Sequence, residues 1–224
     1  MTTAAADLAA VPGVLLDFDG PVTPLMPGPK GKQVADDART AMRRAGVEVP
    51  NSVASSTDHL AVLRAAVVLG PAVVRAVEDA CVTAEIRCAK SAVPTVGAHD
   101  FLRQTFHDDQ RVVIVSNNAA EAIDAYLDRW ELNAFVVAVI GRSRYRPDLM
   151  KPHRFVADAA LGLLGIDAAD TVLIGDTVTD MQVARSVGAC AIGYAKRPER
   201  SEALAEAGAD AVVLSMSELL HPAR

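Results

Sequence analysis

The chain has 224 residues, 51% of them apolar, and a formal net charge of −6. This length suits one large domain, or a core with a moderate insertion. The acidic balance argues against a nucleic-acid partner, because phosphate backbones select basic surfaces, and no apolar run reaches the roughly 20 residues that span a bilayer. We expect a soluble protein with no nucleic-acid or membrane partner. The sequence leaves open whether it is a monomer or a homodimer.

The N-terminal segment and the cysteines indicate a cytoplasmic protein. Residues 1–10 lack a basic region and include Asp7, so they are a poor secretory signal. The three cysteines have no metal-type spacing. Cys81 and Cys88 lie two turns apart in a predicted helix, and we expect them to be small core residues in a reducing compartment.

The first predicted element is a buried strand that ends in two carboxylates. Residues 14–16 are an apolar run after a Pro-Gly pair, and Asp17 and Asp19 follow with one residue between them. Open parallel sheets bind their ligands at the carboxyl ends of their strands, so the two acids mark a candidate site. The pair alone proves little, since acids are common in turns.

A helical block without a strand candidate comes next, over residues 27–92. A proline-rich loop leads into it, Gly46 ends its first predicted helix, and a Gly-Pro pair at 70–71 separates its second helix from its third. We therefore divide the chain into an α/β core, residues 1–26 and 93–224, and an inserted helical domain, residues 27–92.

From residue 98 the chain alternates between helical and strand patterns. The predicted helices are 98–106, 119–130, 152–164, 179–187 and 199–207, and the predicted strands are 111–116, 135–140, 171–175, 189–193 and 211–214. This alternation predicts an α/β fold with a doubly wound parallel sheet and right-handed crossovers.

Polar residues follow the strands at the edge where the carboxyl ends meet. They are Asp17 and Asp19, the run Ser116-Asn117-Asn118, Lys151, and Gly175-Asp176 with Asp180 four residues later. Clustered carboxylates repel one another unless a cation lies among them, and oxygen ligands favour Mg²⁺. Taken singly, the Ser-Asn-Asn run is typical of a helix cap, Lys151 of a surface charge and Asp180 of a helix N-terminus. Their order along successive strands favours a single site.

These residues resemble the four motifs of the haloacid dehalogenase-like hydrolase superfamily, which are, in order, Asp17-x-Asp19-Gly20, Ser116, Lys151 and Gly175-Asp176-x-x-x-Asp180. The resemblance is to the phosphatase branch with a helical cap inserted after the first strand, as in phosphoglycolate phosphatase-like members. It implies a Rossmann-like core, a cap formed by residues 27–92, Mg²⁺ as cofactor and a small phosphorylated metabolite as substrate.

The resemblance also implies a catalytic role for four residues. Asp17 would be the nucleophile that forms an aspartyl-phosphate, and Asp19 would be the general acid and then the general base. Ser116 would hydrogen-bond the transferring phosphoryl group. Lys151 would neutralise charge on the nucleophile and on that group.

The remaining matches are implied to bind phosphate or metal. Gly20 and Asn117 would lie beside the phosphoryl group with Ser116 and Lys151. The implied Mg²⁺ ligands are Asp17, Asp19 through its backbone carbonyl, Asp176, and Asp180, which would bind through water or orient Lys151.

The chain departs from the family pattern at Pro21 and after Lys151-Pro152, where a second Pro is common and His153-Arg154 follows instead. Pro21 stands where members usually carry Thr, and it has no backbone donor for the turn beside the nucleophile. Basic residues of the helical block are expected on solvated helix faces; they are Arg39, Arg43, Arg44, His59 and Arg64.

Three functions stay open. An Mg²⁺-dependent phosphatase leads, because Asp19 supplies the acid that dehalogenating members lack. A phosphomutase would use the same core and shield its aspartyl-phosphate from water. A catalytically weak phosphate-binding or regulatory module, either a degenerate relative or a protein like a response-regulator receiver, is less favoured. Against a receiver, the acids are split between the first strand and Asp176, and a helical block interrupts the core.

Overall fold

A parallel sheet organises the fold. The structure is a computed structural model that describes residues 9–221, so most of the N-terminal segment that argued against a secretory signal lies outside the described residues. The strands are β1 (Gly13–Leu16), β2 (Arg111–Val115), β3 (Ala138–Ile140), β4 (Thr171–Gly175), β5 (Cys190–Tyr194) and β6 (Ala211–Val213). Their order is β3-β2-β1-β4-β5-β6, and every neighbouring pair is parallel. The predicted doubly wound α/β fold is confirmed.

Eight α-helices accompany the sheet within residues 9–221. They are α1 (Pro29–Arg44), α2 (His59–Ala66), α3 (Pro71–Ala89), α4 (Ala98–His107), α5 (Ala120–Trp130), α6 (Phe155–Leu164), α7 (Val178–Val187) and α8 (Ser201–Glu206). Helices α1–α3 all lie between β1 and β2. The division of the chain into a core and a helical cap domain stays a prediction. None of the helices in this range is long and apolar enough to cross a membrane.

Two apolar layers cover the faces of the sheet, because successive strand side chains point to opposite sides. Leu16 and Ile114 belong to a buried cluster with residues of α3, α4 and α5. Leu15 and Val113 belong to a second cluster with residues of α6, α7 and α8. Both faces are buried, which explains why the central strands are continuous apolar runs.

Helix α3 connects the helical block to the sheet. Its N-terminal half contributes Val77 and Cys81 to an apolar cluster shared with α1 and α2. Its C-terminal half contributes Ala84 and Cys88 to the cluster on the sheet. The prediction that Cys81 and Cys88 are core residues is confirmed.

Two predicted boundaries were wrong. Helix α6 begins at Phe155, three residues after the predicted start at Pro152, and the backbone of the preceding Lys151 is hydrogen-bonded to the Asn117 side chain. Strand β3 begins at Ala138 instead of residue 135, because the chain before it forms a 3-10 turn.

Two basic residues predicted to be solvated are buried. Arg39 is 3% exposed and donates to the carbonyl oxygens of Val53 and Ser56 at 3.0 and 2.7 Å, which ties down the loop before α2. His59 is 6% exposed and lies against Glu85 of α3. Helical periodicity does not reveal such burial, since the covering elements are distant in the chain.

Candidate active site

A cavity of about 300 Å³ lies between the carboxyl edge of the sheet and the N-terminus of α2. The sheet edge contributes most of the predicted site residues, namely Asp17, Asp19, Ser116, Asn117, Lys151 and Asp176. Helix α2 and the residue before it contribute Asp58, His59 and Leu60 from the opposite side. The structure therefore brings together the polar ends of β1, β2 and β4, as the sequence predicted.

Lys151 is the central cation of this cavity. Its Nζ lies 2.8 Å from Asp17 Oδ1 and 2.5 Å from Asp180 Oδ1, and it donates to the Val115 carbonyl at 3.2 Å. Burial alone would lower the pKa of Lys151, but the charges of Asp17 and Asp180 outweigh it and raise that pKa. The buried lysine is therefore charged, and the reading of Lys151 as a solvated surface charge is wrong.

Burial also governs Asp17. Desolvation raises the pKa of the Asp17 carboxyl to about 8, although Lys151 opposes this effect. The nearby carboxylates of Asp180 and Asp176 raise it further. Asp17 and Asp180 thus share the ammonium group of Lys151, and a second cation beside Asp17 would stabilise its ionised form.

Asp176 has a cation of its own that the sequence reasoning missed. Lys196, just after β5, places Nζ 2.7 Å from Asp176 Oδ2. Burial raises the pKa of Asp176, and Lys196 offsets part of that increase. No motif marks this lysine; it reaches the site because β5 lies beside β4 in the sheet.

The acidic residues fit a divalent cation. Asp17, Asp176 and Asp180 each offer one oxygen, and these atoms lie within 4.8 Å of one another. Asp176 Oδ1 is buried and has no hydrogen-bond partner among the described residues. A buried, partnerless carboxylate oxygen among other acids is what a hard ion such as Mg²⁺ would satisfy.

The side chains of Asp180 and Asp19 also accept hydrogen bonds from neighbouring backbone and side-chain groups. Asp180 Oδ2 accepts from the Thr177 backbone at 3.0 Å and from the Thr177 hydroxyl at 2.5 Å, in a capping box that starts α7. Asp180 is thus both a helix-start residue and a neighbour of Lys151. The side chain of Asp19 is outside the three-acid group, and its Oδ1 accepts from the Leu25 amide at 3.0 Å.

Two glycines are required by this close packing. A Cβ on Gly175 would lie 2.4 Å from Asp180 Cγ. A Cβ on Gly20 would lie 2.6 Å from Asp176 Cγ, and Gly20 also has a φ of +129°, which side-chain-bearing residues rarely adopt.

The Ser116-Asn117-Asn118 run forms part of the site and is not a helix cap. Helix α5 has Ala119 at its N-cap, with no side-chain capping bond in this described segment. Ser116 Oγ accepts from the Asn118 amide at 3.2 Å, while the Asn117 side chain accepts from the Lys151 amide at 2.7 Å and donates to its carbonyl at 3.3 Å. The run therefore positions Lys151 from the end of β2.

Parts of the chain are similar to a hydrolase family and to a curated phosphatase. Residues 149–219 match the HAD-hydrolase-like family model. The phosphoglycolate phosphatase of Caulobacter vibrioides is 30% identical over 137 residues, which cover 59% of this chain and 55% of that protein. The aligned part thus spans about half the length of the curated relative.

Solved structures share the fold over nearly the whole chain. The Rhodobacter sphaeroides protein CbbY, in complex with phosphate, has a TM-score of 0.67 at 15% identity, covering 93% of this chain and 96% of that one. A putative β-phosphoglucomutase from Bacteroides vulgatus has a TM-score of 0.67 at 16% identity, covering 97% and 94%. At such low identity these structures show the fold alone.

The resemblance inferred from the motifs is thereby confirmed: the chain is similar to haloacid dehalogenase-like hydrolases, whose family model matches residues 149–219. A curated protein to which the chain is similar is a phosphatase.

Proposed function

We propose that the protein is an Mg²⁺-dependent phosphatase that hydrolyses a small phosphorylated metabolite through an aspartyl-phosphate on Asp17. The observation that carries the proposal is the buried Lys151 ammonium between Asp17 and Asp180, at the wall of a cavity of about 300 Å³. The similarity to a phosphoglycolate phosphatase supports the reaction type.

The first chemical step is attack by an Asp17 oxygen on phosphorus. The bond from phosphorus to the leaving oxygen breaks, and Asp19 gives that oxygen its proton. The Leu25 amide holds Asp19 Oδ1, so we assign the proton to Oδ2. Lys151 and the Ser116 hydroxyl stabilise charge that spreads over the phosphoryl oxygens.

The second step is hydrolysis of the aspartyl-phosphate. Asp19 now takes a proton from water, and the resulting hydroxide oxygen attacks phosphorus. The bond to Asp17 breaks, inorganic phosphate leaves, and the two carboxyl groups return to their initial states. One residue can serve in both directions because the first step leaves it deprotonated.

Asp17, Asp176 and Asp180, with the Asp19 carbonyl, would hold Mg²⁺. When bound, the ion neutralises phosphate charge and favours the ionised nucleophile. Residues 27–92 would act as the cap, since α2 supplies one wall of the cavity through His59 and Leu60.

The direct test is phosphate release from a generic aryl phosphate in the presence of Mg²⁺. We expect Asp17→Asn to lower kcat at least about a thousandfold, because an amide cannot form the covalent intermediate. Asp108→Asn, at an exposed aspartate after α4, is the matched control and should keep full activity. Full activity in Asp17→Asn would show that the nucleophile is another residue.

A phosphomutase is the second candidate, because one solved structure with this fold is a putative β-phosphoglucomutase. Incubation with hexose 1-phosphates separates the two functions. A phosphatase releases inorganic phosphate from them, whereas isomerisation without phosphate release would replace the phosphatase proposal.

A further inference from the structure

Four side chains form a buried ionic cluster beside the active site. Glu78 and Glu85 come from α3, His59 from α2, and Arg142 from the segment after β3. The side chains of Arg142, Glu78 and Glu85 are 0% exposed, and that of His59 is 7% exposed. We call these residues the Arg142 cluster. The two proposed chemical steps use none of them.

The contacts within the cluster join the helical block to the sheet. Arg142 Nε donates to Glu78 Oε1 at 2.9 Å, and Nη1 donates to Glu85 Oε1 at 3.0 Å. The same Glu85 oxygen lies 2.7 Å from His59 Nε2. One guanidinium therefore pairs with two carboxylates, and the second carboxylate fixes a histidine at the cavity wall.

Arg142 and Glu85 also each bind the backbone of residues 117–119, the loop that follows β2 at the candidate active site. Arg142 Nη1 donates to the Asn117 carbonyl at 2.6 Å, and the Arg142 amide donates to the Asn118 carbonyl at 2.8 Å. Glu85 Oε2 accepts from the Ala119 amide at 2.8 Å. The loop from 117 to 119 is thus held by a charged group on each side.

The loop passes this restraint to the catalytic lysine. The Asn117 side chain makes two hydrogen bonds to the backbone of Lys151, and Arg64 of α2 donates to the same Lys151 carbonyl at 3.2 Å. Arg142 is therefore connected to Lys151 through Asn117: Arg142 binds the Asn117 carbonyl, and the Asn117 side chain binds the Lys151 backbone.

A purely stabilising role does not explain such a cluster. Removing charges from water costs several kcal/mol per ion, and apolar replacements of buried ion pairs are often at least as stable. Glu78 Oε2 is buried without a hydrogen-bond partner in residues 9–221. The cost of removing this oxygen from water is therefore not compensated by a hydrogen bond. The planar, forked guanidinium, in contrast, suits simultaneous positioning of several acceptors.

We propose that Arg142 and Glu85 are positioning residues of the active site. They hold the 117–119 loop, and through Asn117 the backbone of Lys151, and they hold His59 at the cavity wall. In consequence α2, α3 and the sheet edge keep one fixed arrangement at this point. The inference rests on the proposed function for its catalytic readout.

The chain supplies a matched control two residues away. Arg144 also joins α3 to the core, with Nη2 2.5 Å from Asp79 and Nη1 2.8 Å from Glu121 of α5, but its side chain is 36% exposed. The test compares Arg142→Lys with Arg144→Lys. Both variants keep the charge, but a lysine ammonium cannot replace the fork that reaches two carboxylates and a carbonyl.

We expect Arg142→Lys to lower kcat for an aryl phosphate about 10- to 100-fold, as displaced catalytic groups do, with KM changed less. Arg144→Lys should stay within about twofold of the wild type. Glu85→Gln, which keeps the side-chain volume, should also lower kcat, and it decides the matter if Arg142→Lys does not fold. An unchanged kcat in a folded Arg142→Lys or Glu85→Gln variant would overturn the proposal.

Amide hydrogen exchange separates this inference from the phosphatase proposal. Exchange over residues 116–120 should accelerate in Arg142→Lys and Glu85→Gln but not in Arg144→Lys. If it does so in a protein whose wild type releases no phosphate, the positioning role stands and the phosphatase proposal fails. Equal exchange in all three variants would overturn the positioning role.

Discussion

Burial decides the chemistry of single residues in this protein. An isolated lysine in the sequence is most often a surface charge, yet Lys151 is enclosed by Asp17 and Asp180. The two carboxylates offset the desolvation cost that would otherwise neutralise its ammonium group. His59 and Arg39 were wrongly expected in solvent for the same reason: their covering partners are far away in the chain.

Gly175 offers a prediction at the residue scale. A Cβ at this position would lie 2.4 Å from Asp180 Cβ and Cγ, so Gly175→Ala must displace the acid that contacts Lys151. We expect a loss of about 1–3 kcal/mol in the free energy of unfolding, measured by urea denaturation, together with a lower kcat if the protein is the proposed phosphatase.

Gly162→Ala is the matched control. Gly162 lies inside α6, and nothing is within 4 Å of its added Cβ. This variant should gain about 0.4–1 kcal/mol, because alanine favours the helix and restricts the unfolded chain. Equal effects of the two substitutions would argue against a packing restraint at Gly175.

At the scale of elements, α3 carries much of the architecture. Its first half packs with α1 and α2, and its second half packs on the sheet. The helix is amphipathic in a way that periodicity predicts, but two of its buried positions are Glu78 and Glu85. The ion pairs of both carboxylates with Arg142, which follows β3, compensate for the burial of these charges.

Glu85 gives a pH-dependent prediction at this scale. Burial alone would raise its pKa, but Arg142 and His59 lower it from 4.5 to about 2. A folded-state pKa below the unfolded value stabilises the fold above pH 4.5, and this stability is lost as pH falls through the folded pKa. The ionised form of Glu85 should therefore stabilise the fold, relative to the protonated form, by roughly 3 kcal/mol at neutral pH.

The measurement compares the free energy of unfolding of the wild type and Glu85→Gln across acid pH. Between pH 5 and pH 3 the wild type should lose stability more steeply than the variant, which has no carboxyl group to titrate there. Parallel curves would show that the Glu85 pKa is not depressed in the folded state.

At the scale of the whole molecule, sheet order assembles the site. The strand order reverses between β1 and β4, so Asp17 and Asp176 meet at the point where such sheets bind ligands. The two residues are far apart in sequence, and neighbouring strand ends bring Lys196 to the same place. A globally folded state is therefore needed before a cation can bind.

Mg²⁺ should accordingly stabilise the whole fold. An ion that binds only the folded state adds about 2.7 kcal/mol at 100 times its Kd, which corresponds to a rise of roughly 5–10 °C in Tm for a protein of this size. Differential scanning calorimetry with and without Mg²⁺ measures this shift. Asp176→Asn should reduce it strongly; an undiminished shift in that variant would place the ion elsewhere.

Local sequence patterns were enough to predict the fold class, the polar residues at the strand ends and the order of the motifs. These features depend on local patterns: apolar runs, glycine and proline breaks, and carboxylates directly after strands. For the same reason the sequence predicted most helix positions to within a few residues. It also predicted that Asp17, Ser116, Lys151 and Asp176 lie at the carboxyl edge of the sheet.

The pairing of buried charges, in contrast, depends on how the elements pack in three dimensions. Lys196, Arg142 and Glu85 have no motif, and their partners lie tens of residues away, so no local pattern predicts their pairing. Electrostatic energy in a protein depends on distance and desolvation in space rather than on separation along the chain. The ion pairs of Lys196, Arg142 and Glu85 therefore form only when the sheet and α3 have packed together.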